Sequence, residues 1–230
     1  MHCALTLSGA LLLVGFVVNA IQRSLLHPLG PADDHKAIFT ECAASDVWVA
    51  THLAEFLLVL VAFAGLLVLC YALRQETPYL ALLAAGAPSR LRGYGPPSKV
   101  SMGSRSSRRS IAWVAAPGSE KASRFADAES VCWIEWGLQS YFRVVLGVAL
   151  LLLGAAAAAS RLVPTWLGAL LAFAGLLSLT VGISVGYAGF ESSFQDAVAI
   201  AFQLVFLVFA VGLLVVGRRA QEPGTSAAST

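Results

Sequence analysis

Nine side chains with acid–base or ligand chemistry would collect on one face of a membrane if the chain crosses it six times: His27, Asp33, Asp34, His35, His52, Glu55, Glu135, Gln139 and Arg143. His52 and Glu55 are three residues apart, which places them on one face of a helix beside Thr51. Glu135, Gln139 and Arg143 recur every fourth residue and form one stripe on another helix. At 1.5 Å per residue Arg143 lies about 12 Å along that axis from Glu135. A guanidinium at such depth in a membrane calls for a carboxylate, and Glu55 or Glu135 is the expected partner. The competing arrangement is an arginine that snorkels, with Trp133, Trp136 and Tyr141 as an interfacial belt.

The chemistry open to this set is limited. His52 and Glu55 have the spacing for joint metal ligation, and a water activated on the metal with Glu55 as base would make a hydrolase. The spacing is not that of HExxH, so a hydrogen-bonded network of His and Glu is the favoured reading, a metal held by His52 and Glu55 is the weaker one, and no cofactor is expected. Gly182-Ile183-Ser184-Val185-Gly186 matches GxSxG but lies inside an apolar run, where a nucleophile elbow cannot form. There Gly182 and Gly186 read as small residues that let two helices approach. Cys3, Cys42, Cys70 and Cys132 show no CxxC spacing, and a Cys42–Cys132 disulfide, which would need an oxidising compartment, is not expected.

The elements that must position these groups are membrane helices. The composition is 58% hydrophobic and 12% charged, with a mean hydropathy of +0.77, far from a soluble domain. A net charge of +2 gives no argument for nucleic acid, and no phosphate-binding glycine loop is present. The lipid bilayer is the expected partner, and homo-oligomerisation is left open. Residues 45–73 are the seed of the fold: a polar head with His52 and Glu55, then about 20 apolar residues before Arg74.

Before it, residues 4–21 read as a retained first span rather than a cleaved signal peptide, because no basic region precedes them. In the polar connection, Asp33 or Asp34 is a plausible cap for a short helix reaching Cys42, and Ser45 or Asp46 for the helix that follows. Beyond Arg74 the run TPYLALLAAGAP is half the length of a span. Residues 89–110 are Gly/Pro/Ser/Arg-rich without helical period and read as a disordered basic loop. An amphipathic lead-in from Ala112 precedes spans at 137–159, 163–186 and 197–216, and residues 220–230 read as a disordered tail. The chain thus divides into 1–74, with two spans and a polar loop, an aberrant basic segment at 75–111, three spans in 112–219, and the tail.

Five spans conflict with the positive-inside rule. With the acidic loop 22–45 outside, Arg161, Arg218 and Arg219 would also fall outside. One further crossing between Pro78 and Arg109 places Arg74, Arg161, Arg218 and Arg219 all in the cytoplasm, together with the N-terminus.

ADDHKAIF after His27-Pro28, then WVATHLAEF, WIEWGLQSYFR and VGYAGF, resemble a family of prokaryotic six-span membrane proteins of unknown function. The resemblance covers 1–76 and 112–219. It implies a third span in the segment between, followed by a stretch resembling VDGVALKQAVDAW. Codons for that stretch read one nucleotide out of phase give SMGSRSSRRS, which stands at Ser101–Ser110. The expectation is a frameshifted copy of the third span near residues 85–110, with phase restored near Ile111; an intact phase in the resequenced genes of close relatives would exclude it.

The reading is therefore an all-α polytopic transmembrane bundle, five clear spans and six by resemblance, multi-pass in the cell membrane. A polar pocket of His27, His35, His52, Glu55, Glu135, Gln139 and Arg143 is expected on its extracytoplasmic side, with small-solute or ion transport and metal-dependent hydrolysis as alternatives.

Overall fold

In lipid a backbone can satisfy its N–H and C=O groups only within itself, and long apolar runs therefore become helices. The structure is a computed structural model that describes residues 1–26, 34–90, 96–189 and 193–221. Among these residues are eight helices and no strand: α1 (His2–Leu26), α2 (His35–Ala44), α3 (Trp48–Leu73), α4 (Pro78–Arg90), α5 (Pro96–Ala115), α6 (Lys121–Ala159), α7 (Thr165–Ala188) and α8 (Ser193–Arg219). Five of them, α1, α3, α6, α7 and α8, are long and apolar enough to cross a membrane. Leu57 and Leu67 on α3, Leu176 on α7 and Leu204 on α8 point outward, as they do on a helix with protein on one side and lipid on the other. The chain is a multi-pass α-helical membrane protein.

Close contacts fix the direction of each helix. α1 runs antiparallel to α3 and α8, with Gly15 against Leu58 and Ala62, Gly9 against Leu214, and Gly217 against Thr6. α7 runs antiparallel to α6, and α8 returns beside α7 with Gly212 near Trp166 and Leu167. By contrast α3 and α6 are parallel. Phe63 packs on Phe142 with ring centroids 6.0 Å apart, and further along both helices the Glu76 carboxylate accepts the backbone N–H of Arg161.

This parallel pair has a topological consequence. The chain that leaves α3 at one end must return to the other before α6 begins. α4 and α5 make that return, α4 packing on α6 and α3, and α5 reaching α2, α3 and α6. One end of the bundle thus carries Arg74, Arg161, Arg218 and Arg219, and the opposite end carries α2.

The core joins all the spans: Leu5 and Leu12 of α1, Leu69 and Leu73 of α3, Leu150 and Leu153 of α6, Leu167 and Leu171 of α7, Phe209 and Leu213 of α8. Ala81 and Ala84 of α4 belong to the same cluster. The α6–α7 seam is the tightest. Glycine recurs every seventh residue, at Gly147 and Gly154 on α6 and at Gly168, Gly175 and Gly182 on α7. A Cβ built at Gly168 would stand 2.3 Å from the Ala158 nitrogen, and one at Gly154 2.4 Å from the Ala172 nitrogen. Backbone approach of this kind supplies packing where lipid leaves no hydrophobic drive between helices.

The structure differs from the sequence reading in three places. Residues 89–110, read as a disordered basic loop without helical period, supply the end of α4 and most of α5, because a few small and apolar side chains suffice when a neighbouring helix covers them. The lead-in from Ala112 is not a single helix: α5 ends at Ala115, a turn follows at Pro117-Gly118, and from Lys121 onward the lead-in is one helix with the next span, α6. Neither Ser45 nor Asp46 caps α3. Val47 precedes the helix without a side-chain cap, while the Ser45 N–H closes α2 on the Cys42 carbonyl. Residues 222–230 of the tail lie outside the described residues.

Candidate functional site

Asp34 caps α2 by accepting the Ala37 N–H at 3.0 Å. That cap starts the helix so that His35, Phe39 and Cys42 fall on one buried face. His35 Nδ1 lies 2.9 Å from Glu129 Oε1 on α6. Its ring stacks on Phe39 and meets Trp133 and Trp136 of α6 edge-on, with centroids 5.4–5.7 Å away. His35 Nε2 is buried without a hydrogen-bond partner among the described residues.

One turn further, Phe39 packs with Trp113 of α5 and Phe125 and Cys132 of α6. Cys42 follows between α2 and α5, close to Ser106 and Ser110. Burial pushes its thiol above the usual range, and the negative charge of Glu135 acts in the same direction. All four cysteines are free.

On α3, His52 and Glu55 are both buried, 5% and 3% exposed. The Nδ1–H of His52 donates to the Trp48 carbonyl at 2.9 Å, and the Trp48 ring lies 4.8 Å away. α5 presses on this turn, since a Cβ at Gly103 would stand 2.8 Å from His52 Cβ. Beside it, Gln22 of α1 donates to the Thr51 carbonyl at 3.1 Å. Polar side chains at the mouth of α3 therefore turn toward neighbouring helices and away from lipid.

The α6 stripe of Glu135, Gln139 and Arg143 is half-buried. Its backbone is clamped to α7, where Ser178 donates to the Arg143 carbonyl at 2.8 Å and Gly182 abuts Arg143 Cβ. Ser140 donates to the Gly182 carbonyl at 2.7 Å and lies under Gly186. Gly189, at φ 72°, ends α7 against Trp136, a conformation that favours glycine. Gln195 of α8 then donates to both Gly189 O and Ser184 Oγ.

His35, His52, Glu55, Glu135, Gln139 and Arg143 thus lie toward the α2 end of the bundle. The structure brings His35 to Glu129 rather than to His52. Among the described residues no three His, Cys, Asp or Glu side chains gather closely enough to hold a metal ion. His27 and Asp33 lie outside the described residues.

Glu129, Ser106, Ser110 and Trp113 were not singled out in the sequence. Glu129 meets a histidine 94 residues away, which no local spacing announces. The other three sit on α5, whose composition hides a helix.

No protein family, curated protein or solved structure matches this chain. The site stands on its own geometry.

Proposed function

We propose that this is a multi-pass protein of the cell membrane with the arginine end in the cytoplasm and the α2 end outside. Its outward mouth, lined by His52, Glu55, Glu135, Gln139 and Arg143, receives a small polar ligand. The observation that carries the reading is the parallel course of α3 and α6. It sorts Arg74, Arg161, Arg218 and Arg219 to one end and the buried ionisable side chains to the other. Cytoplasmic ends of membrane proteins concentrate Lys and Arg, and ionisable side chains kept within a bundle cost enough to mark a function. The resemblance to six-span proteins supports the same count of crossings, with α4 and α5 in place of the third span.

The orientation is tested with single cysteines at the exposed positions Thr40, Ser119 and Ala220 in a cysteine-free background. In intact cells a membrane-impermeant thiol reagent should label Thr40→Cys and Ser119→Cys, and Ala220→Cys only after lysis. The reverse pattern would overturn the orientation. The aqueous mouth is tested with Gln139→Cys. Labelling from outside supports it, and a thiol that reacts only after unfolding would make the cluster a packed structural one.

A further inference from the structure

At the arginine end, Arg74 folds back over the residue one turn before it. Its guanidinium lies over the ring of Tyr71, 3.8 Å from the centroid, and both side chains are exposed. Two residues on, the Glu76 carboxylate accepts the backbone N–H of Arg161 and so holds the α6–α7 connection against the start of α4. Arg161 is exposed as well. Among the described residues neither guanidinium forms an ion pair, and the three charges leave a net positive corner. Next to it, α4 turns Tyr79, Leu82 and Leu83 outward, 83%, 72% and 58% exposed. With 13 residues, α4 runs for about 20 Å, less than a hydrocarbon core of about 30 Å.

We propose that this corner binds one anionic phospholipid, its phosphate between Arg74 and Arg161 and an acyl chain along Leu82 and Leu83. Guanidinium forks match phosphate oxygens in geometry and charge. The Tyr71 ring keeps the Arg74 head at headgroup depth, where an aromatic side chain rests. A zwitterionic lipid offers the same phosphate but brings an ammonium against two arginines, so an acidic headgroup is preferred. The assignment holds whichever side of the membrane the arginine end faces.

The test uses the full chain in phosphatidylcholine nanodiscs doped with phosphatidylglycerol, followed by native mass spectrometry of the lipids that remain bound. The wild type should retain one phosphatidylglycerol in preference to phosphatidylcholine. Arg74→Gln/Arg161→Gln should lose that preference by about tenfold or more, the scale of a lost charge-assisted pair. Tyr71→Leu, which keeps every charge, should weaken it by a smaller factor. Arg218→Gln/Arg219→Gln, at the same end but off the corner, should leave it unchanged. Equal retention of the two lipids by the wild type, or a preference that survives Arg74→Gln/Arg161→Gln, would overturn the proposal. So would full displacement of the lipid by soluble glycerol phosphate, which would make this a free-phosphate site.

Discussion

His35 on α2 and Glu129 on α6 meet at 2.9 Å, and this is a polar tie between the short surface helix and the bundle. Glu129 is one-third exposed while the imidazole is buried. Loss of either partner therefore has unequal consequences. Glu129→Gln keeps a hydrogen-bond acceptor, whereas Glu129→Ala leaves a buried imidazole nitrogen unsatisfied at a cost of about 1–3 kcal/mol. The expected result is faster hydrogen exchange in α2 for Glu129→Ala than for Glu129→Gln, with the exchange of α7 unchanged. Equal protection of α2 in both variants would show that the aromatic contacts alone hold it.

The α6–α7 seam predicts a sharp contrast between glycines. Gly168→Leu must push Ala158 backbone aside and should destabilise by about 3 kcal/mol, the upper end of overpacking costs. Gly86 on α4 has open space where a Cβ would be, and Gly86→Ala should instead stabilise by about 0.5–1 kcal/mol through helix propensity. Thermal unfolding of the two variants in the same detergent reads both signs.

Gly103 reports on whether α5 is seated against α3. A Cβ there overlaps the His52 side chain, so Gly103→Val should lower stability by about 1–3 kcal/mol. His52→Ala opens room for it and should recover part of the loss. A Gly103→Val variant as stable as the wild type would mean that α5 does not press on the mouth of α3.

Cys42 supplies a pH signature. Its thiol is pushed up by burial, so its thiolate fraction at neutral pH is smaller than that of a free cysteine, and its reactivity should keep rising to higher pH. With the other three cysteines replaced, maleimide labelling at neutral pH should be slower than at Ser119→Cys by about tenfold or more. Unfolding should abolish the difference. Equal rates in the folded protein would place Cys42 at the surface.

The sequence discloses what lipid enforces. Five apolar runs became five long helices, because no other structure satisfies the backbone there, and the Asp34 cap was legible from its short polar side chain before a helix. Charge sorting also asked for the chain to turn back after Arg74, and α3 and α6 run parallel. Local pattern could not show that the return is built from α4 and α5. Ser106, Ser110 and Trp113 are buried on a helix that packs against α2, α3 and α6, and no composition rule sees a cover supplied from elsewhere in the chain. Of the candidate cluster, the α3 and α6 positions were visible as helix faces. The His35–Glu129 tie was not, since its partners lie on helices separated in the chain by three others.

The weak apolarity of α4 bears on how the chain is made. At the translocon, α3 can partition into lipid on its own hydropathy, but a 13-residue helix carrying small residues such as Ala81 and Ala84 lacks the transfer energy to follow it unaided. α4 packs on α6 more extensively than on α3, and α6 leaves the ribosome several dozen residues later. On the topology proposed above, α4 and α5 settle only once α6 has arrived, so a nascent chain arrested before Lys121 should still hold them on the side where α3 ended.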